Sequence, residues 1–302
     1  MRLAVVFSGQ GAQQMKHYEE LSAAMDRQEL PESYQSFFSN EAITEERLFQ
    51  NQWAQPVITA LQLSRWQRLK ARLNVSPVVV AGYSAGESAS YAAAGVWGID
   101  EALAISCVRA RLMDEAMATC NTCAMAYMEF AQRPEIQSAM IEHQVYPAIV
   151  LPHGGVIIGG ERNNLQVIES LCASHAVSWR SLPISVPSHT PLLSQVEEPL
   201  REYLSSLTLS SPFYPLLAGG VAAVLSRPDE LTHAFAYQTC HTLDWQTCLS
   251  VIREYRPEVV LEIGPGNALA SMIRDDESGV MARSLDEFHS DEAVMDWLGR
   301  WG

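Results

Sequence analysis

A run of small and branched apolar residues, Val78-Val79-Val80-Ala81, passes directly into Gly82-Tyr83-Ser84-Ala85-Gly86 and then into Glu87-Ser88-Ala89-Ser90-Tyr91, which reads as helix. A strand turned into a helix through so tight a loop is one step of a sheet covered by helices. The glycines let the turn close and let neighbouring backbone approach, while the helix start places N–H groups and the positive end of the dipole beside the serine oxygen. Ser84 is thereby a candidate nucleophile on a strand-to-helix elbow. A bare G-x-S-x-G arises by chance in roughly one chain in ten at ordinary glycine and serine usage, so the strand before it and the helix after it carry the signal.

The same rhythm recurs. Residues 3–7 read as strand before a helix from about Ala12, and residues 259–263 read as strand before a helix from about Ala268. These repeats predict a mainly parallel sheet in an α/β fold. Between Cys123 and Pro183 the texture changes: 124–130 reads as strand, 134–142 as helix, 145–150 and 156–158 as strands, 164–173 as helix and 176–182 as a last strand. The βαββαβ order is the ferredoxin-like pattern. It predicts an inserted subdomain, residues 123–183, that splits a larger domain made of 1–122 and 184–302.

Twenty basic against thirty-five acidic side chains give a net charge of -15, which repels nucleic acid and anionic membrane over most of a surface. The longest late apolar stretch, 216–225, falls well short of the ~20 residues of a membrane span, and the start of the chain lacks a signal-peptide pattern. The expectation is a cytoplasmic protein with neither nucleic acid nor membrane as partner. Of six cysteines, only Cys120 and Cys123 make a CxxC; without a second pair they read as plain buried thiols, and no metal is implied. Gly264-Pro265-Gly266 lacks the further glycines and the Lys-Ser/Thr pair of a phosphate loop and reads as a tight turn.

A serine at its free pKa needs a base, and eight histidines are available. His17, His143, His175 and His289 read as helical or polar surface residues. His189 differs, lying in Ser185-Val186-Pro187-Ser188-His189-Thr190-Pro191, a proline-fixed loop after the last strand of the insertion, where catalytic groups are often presented. Periodicity alone does not decide its role.

Five motifs together resemble the malonyl-CoA:acyl-carrier-protein transacylases and polyketide acyltransferase domains, over nearly the whole chain. Phe7-Ser8-Gly9-Gln10-Gly11-Ala12-Gln13 is similar to their GQG-x-Q motif, and Gly82 to Glu87 to their GHS-x-GE elbow. Val108-Arg109-Ala110-Arg111-Leu112-Met113 resembles the arginine motif, Val186-Pro187-Ser188-His189 the histidine motif, and Glu262-Ile263-Gly264-Pro265-Gly266 the EIGPG loop. The resemblance implies an α/β-hydrolase-like core with a ferredoxin-like insertion. It further implies Ser84 as nucleophile, His189 as base, and an oxyanion hole from Gln10 and the N–H of Ala85. Arg109 would hold the free carboxylate of a malonyl group. A carbonyl of Gln238 would orient the histidine in place of an acidic third member, although Thr242 stands where the family has proline.

The implied reaction is ping-pong transfer of malonyl from malonyl-CoA to an acyl carrier protein, with no bound cofactor. Tyr83 replaces the family histidine before the nucleophile. In this it is similar to the malonyltransferase (epsilon) subunit of malonate decarboxylase, with fatty-acid or polyketide transfer as the alternative. Hydrolysis of the acyl group and a structural, non-catalytic role are the other readings. A basic island in the acidic chain, Arg65, Arg68, Lys70 and Arg72, is expected to form a docking face for an acidic carrier.

Overall fold

The computed structural model describes residues 1–39, 43–118, 122–129, 133–275 and 279–301. The first part of the chain forms β1 (Leu3–Phe7), α1 (Met15–Asp26), α2 (Glu32–Phe38), α3 (Asn51–Lys70), β2 (Val79–Gly82), α4 (Glu87–Ala94) and α5 (Ile99–Met117). The middle forms β3 (Cys123–Glu129), α6 (Pro134–Glu142), β4 (Tyr146–Val150), β5 (Gly155–Glu161), α7 (Arg162–Ser174) and β6 (Trp179–Ser181). Then follow α8 (Ser194–Ser205), β7 (Leu216–Ala218), β8 (Ala223–Leu225), α9 (Pro228–Tyr237), β9 (Leu243–Asp244), α10 (Trp245–Glu254), β10 (Val259–Ile263), α11 (Ala268–Arg274), β11 (Met281–Ser284) and α12 (Asp291–Leu298).

One sheet has the order β11-β10-β1-β2-β7-β8 and is parallel except for its β7/β8 edge. All five residues of β1 are buried, because both faces of the sheet are covered. Leu3, Val5 and Phe7 enter the core beneath α1, α3 and α5, while Ala4 and Val6 face Val79, Ala81, Val260 and the apolar side of α10 and α11. The second sheet, β6-β3-β5-β4-β9, has the expected ferredoxin-like arrangement over its first four strands. Its Met125, Ile149 and Leu151 join the second of those cores, whereas Ala126, Met128 and Ile158 pack on α6 and α7. Period-two alternation along β3 thus divides the strand between two cores.

Four expectations need correction. The second sheet takes in β9, which pairs in parallel with β4 from well beyond residue 183; two residues are too short for a pattern to reveal. Helix α1 starts at Met15, not near Ala12, because Gln13 accepts from the Gly11 N–H at 2.6 Å, donates to the Leu48 carbonyl at 2.8 Å and so holds the loop open. Cys123 is disulfide-bonded and no plain thiol; Cys120 and position 130 lie outside the described residues. His17 is no surface residue: it is buried, and its Nε2 lies 2.9 Å from Asp286.

Candidate active site

The parallel strands β1, β2 and β10 end side by side, and the loops that follow them meet. Ser84 adopts a left-handed φ of 54°, a conformation that a non-glycine residue holds only when its surroundings enforce it. Here the enforcement is close backbone contact. A Cβ on Gly82 would lie 2.2 Å from the Glu87 Cα, and one on Gly86 would lie 2.4 Å from the carbonyl oxygens of Phe7 and Ser8. Only glycine permits the strand, the turn and the neighbouring loop to pack at this distance. The N–H of Ala85 follows Ser84 at the start of the short helical turn that leads into α4.

The loop after β1 is fixed from several sides. Ser8 Oγ donates to the Pro265 carbonyl at 2.9 Å, and buried Gln62 donates to the carbonyls of Ser8 and Ile263 at 2.7 and 3.1 Å. Asp286 accepts from the Gly266 N–H at 2.7 Å and meets His17. Burial opposes ionisation of Asp286, but the hydrogen bond to His17 and the Arg65 charge prevail and hold its carboxyl well below the usual range. These contacts hold the loop that carries Gln10, which lines one cavity with Ser84.

Ser84 Oγ lies 2.7 Å from His189 Nε2, and His189 Nδ1 lies 2.5 Å from the Gln238 carbonyl. A carbonyl only accepts, so Nδ1 carries the proton and Nε2 is left to accept from the serine hydroxyl. The His189 N–H donates to the Thr239 carbonyl at 2.8 Å, which fixes the residue's backbone as well. Burial, reinforced by the nearby Arg109 charge, pushes the imidazole down to about 3, against the raising effect of the Gln238 carbonyl. The unfolded chain therefore binds this proton more readily than the folded one. Its contribution to stability is present above about pH 6.5 and is lost as pH falls toward the folded value, with a slope of up to ~1.4 kcal/mol per pH unit. Buried Glu87, whose raised carboxyl gives a slope of opposite sign, is present in both proteins, so the His189 contribution is read as a difference: urea unfolding between about pH 4 and 7 should show the stability of wild type minus that of His189→Asn rising with pH by up to this slope.

Arg109 is 2% exposed. Its Nη1 donates to Gln55 Oε1 at 2.7 Å, while Nε and Nη2 are buried without a partner among the described residues. Burial lowers its pKa to about 10, opposed by Glu87, so it stays cationic at neutral pH. Glu87 accepts from the Gly219 N–H at 3.0 Å and from the Gln238 side-chain amide. Burial raises its carboxyl to about 8, against the pull of the Gly219 N–H, Tyr91 and Arg109. Glu87 thus links the elbow helix to the residue that orients His189.

Ser84 and Gln10 open onto a cavity of about 440 Å³ between the two sheets, walled by Tyr83, Tyr127, Ile157 and Leu182, with Arg180 among its lining residues. Tyr83 packs edge-on against Trp245, ring centroids 5.0 Å apart. Of the expected site residues, Ser84, His189 and Gln238 form one hydrogen-bonded relay, and Gln10 and Ala85 flank it. Arg109 does not line this cavity; it lies close enough to His189 and Glu87 for its charge to act on both. Gln55 and Gln62 were missed, and Glu87, although part of the elbow motif, was given no role. Buried amides carry no periodic signal, and an acidic residue at a helix start ordinarily reads as a solvent-facing cap.

The basic island is corrected. Arg65 is buried against Glu20 at 2.6 Å and Asp286 at 2.8 Å. Arg68 pairs with Glu20, Glu29 and Asp291, and Arg72 with Glu292. Lys70 is exposed and sits over the Tyr214 ring. The acidic partners come from α1, the loop after it and the C-terminal segment, which a count of neighbouring charges in the sequence does not bring together. These arginines tie helices to one another and do not form an open docking face.

Known proteins are similar to this chain over most of its length. A malonyl CoA-acyl carrier protein transacylase of Salmonella typhimurium is 24% identical over 297 residues, spanning 95% of this chain and 96% of that one. One from Mycobacterium tuberculosis is 26% identical over 234 residues, 77% of each chain. Among solved structures, the malonyl-CoA:acyl carrier protein transacylase of Xanthomonas oryzae matches with a TM-score of 0.86 at 25% identity over 100% of both chains. A malonyl-transacylase in complex with a type II polyketide acyl-carrier protein matches in fold with a TM-score of 0.84 at 23% identity, over 98% of this chain and 99% of that one. The sequence model of the acyl transferase domain matches residues 5–277, a span that contains the elbow, the His189 loop and the Gln238 turn together, and the chain therefore belongs to the acyl transferase domain family.

Proposed function

We propose that the protein moves a malonyl group from malonyl-CoA, through an ester on Ser84, to the prosthetic thiol of an acyl carrier protein. The observation that carries this reading is a Ser84–His189–Gln238 relay beside a buried guanidinium with two unpartnered donor nitrogens. Ser84 Oγ attacks the thioester carbonyl carbon as its proton passes to His189 Nε2. The oxyanion accepts from the N–H of Ala85 and from Gln10, donors worth roughly 3–4 kcal/mol each when preorganised. The C–S bond breaks, and His189 returns the proton to the departing thiolate. The carrier thiol then runs the same steps in reverse.

Arg109 supplies specificity and, through charge, affects the base. A malonyl carboxylate on its free donors removes the positive charge that disfavours a protonated His189, so the acidic acyl group raises the basicity of the imidazole it needs. We assign the 123–183 segment, within a body of 1–122 and 184–302, to walling the cavity for the thiol arm, with the malonyl carboxylate reaching past Ser84 toward Arg109. For the carrier, Tyr83 in place of histidine favours the carrier subunit of malonate decarboxylase, while the names of the relatives favour a fatty-acid or polyketide carrier.

Label from radioactive malonyl-CoA is expected to remain on the enzyme until a carrier bearing its thiol arm is added, and then to move to that carrier. Rapid release as free malonate would instead make the protein a hydrolase, and no bound label would leave a structural role. Offering both carrier types in parallel decides which is the acceptor.

A further inference from the structure

We propose that Glu197, Cys240 and His241 form a binding site for a zinc-class divalent cation, outside the acyl-transfer cavity. Glu197 lies on α8, and Cys240 and His241 lie in the turn between α9 and β9. Cys240 Sγ is 3.1 Å from Glu197 Oε2 and 3.3 Å from His241 Nδ1, and Nδ1 is 3.5 Å from Oε2. Bonds of ~2.3 Å to sulfur and ~2.0–2.2 Å to nitrogen and oxygen at tetrahedral angles put ligand atoms roughly 3.3–3.6 Å apart. The three donors already stand within a few tenths of an ångström of that triangle.

The surroundings suit a metal. The His241 ring stacks on Tyr237 at 3.6 Å with a 7° interplanar angle, which fixes its plane as a second-sphere partner does. The Tyr237 carbonyl, 2.9 Å from Nδ1 and 3.8 Å from Sγ, offers a fourth oxygen, with water as the other choice. Cys240 is buried, while the Glu197 and His241 side chains are 25% and 40% exposed, so an ion can enter from solvent. One sulfur, one nitrogen and oxygen select a borderline-soft ion over magnesium or calcium, which require oxygen donors. On binding, the Cys240 S–H proton leaves to solvent and the imidazole, whose Nδ1–H donates to the Tyr237 carbonyl in the free protein, gives up that proton and takes one on Nε2 instead, so affinity rises with pH.

The location gives the ion a consequence. Helix α8 follows the His189 loop, and Cys240 follows Gln238 and Thr239, whose carbonyls hold His189. A bound ion ties together the two segments that cradle the base.

The test is titration of the full-length protein, its Cys123 disulfide left intact, with Co²⁺. One equivalent should give tetrahedral d–d bands and a thiolate charge-transfer band, both displaced by Zn²⁺. Cys240→Ser should abolish the charge-transfer band, and Zn²⁺ should raise the unfolding temperature of wild type but not of this variant. Glu197→Gln and His241→Ala should each weaken binding by more than the ~10–100-fold that loss of an outer-sphere partner causes. His241→Ala, at a partly exposed position, keeps the test decisive if Cys240→Ser fails to fold. Absence of a stoichiometric Co²⁺ site, a charge-transfer band that survives Cys240→Ser, or affinity unchanged in His241→Ala overturns the proposal.

Discussion

Ser84→Ala is expected to lower malonyl transfer by on the order of 10⁴–10⁶-fold while leaving the fold intact, because in the proposed mechanism the residue supplies the atom that bonds to the acyl carbon. That loss corresponds to roughly 5–8 kcal/mol of transition-state stabilisation. Stability should change by about 1 kcal/mol or less. The hydroxyl makes one hydrogen bond, to His189, on a side chain facing a cavity that can admit water. The elbow's unusual backbone is imposed by Gly82 and Gly86 against Glu87, Phe7 and Ser8, contacts that the substitution leaves alone. Steady-state transfer rates together with urea unfolding separate the two effects. Unchanged transfer by a folded variant would move the nucleophile elsewhere.

Arg109→Ala should cut malonyl transfer by about 10²–10³-fold and acetyl transfer far less. A hydrogen bond to a charged group is worth about 1.5–3 kcal/mol, and a carboxylate left unpaired in a buried site costs about 3–5 kcal/mol, penalties that fall only on the acyl group with a free acid. The substitution also strips Gln55 of its 2.7 Å partner and Glu87 of a nearby positive charge, so some destabilisation accompanies it. The malonyl-to-acetyl ratio is insensitive to that loss, since both rates scale with the folded fraction. Removing the cation further raises the His189 pKa. The acid limb of the acetyl-transfer profile should therefore move to higher pH. Equal losses for both acyl groups would reduce Arg109 to a structural residue.

The elements legible in the sequence were those with local causes. The apolar run of β1, the valine run of β2 and the Gly82–Gly86 pair each announce themselves within a few residues, and the order of β3 to β6 predicts the second sheet's arrangement. Ser84 and His189 lie 105 positions apart, and their meeting was legible only through the resemblance of the motifs around them. Gln238 was the least secure expectation because Thr242 breaks the family pattern. Its contribution comes from a backbone carbonyl, however, and the 2.5 Å bond to His189 is present without the proline. Missed features depend on distant segments. Arg65 and Arg68 looked like an open face until Glu20, Asp286 and Asp291 were brought against them by the fold. The first turns of helix α3 bury Asn51, Gln55 and Thr59, polar residues that hide a buried surface from a hydrophobic pattern.

The central claim is that an acyl group passes through Ser84. Its most direct test is peptide mapping by mass spectrometry of wild-type protein treated with malonyl-CoA and quenched in acid. One malonyl group is expected on the peptide containing Ser84, absent again after brief exposure to a carrier bearing its thiol arm. A malonyl group found on any other residue, or persisting on the Ser84 peptide after the carrier has been added, would contradict the account.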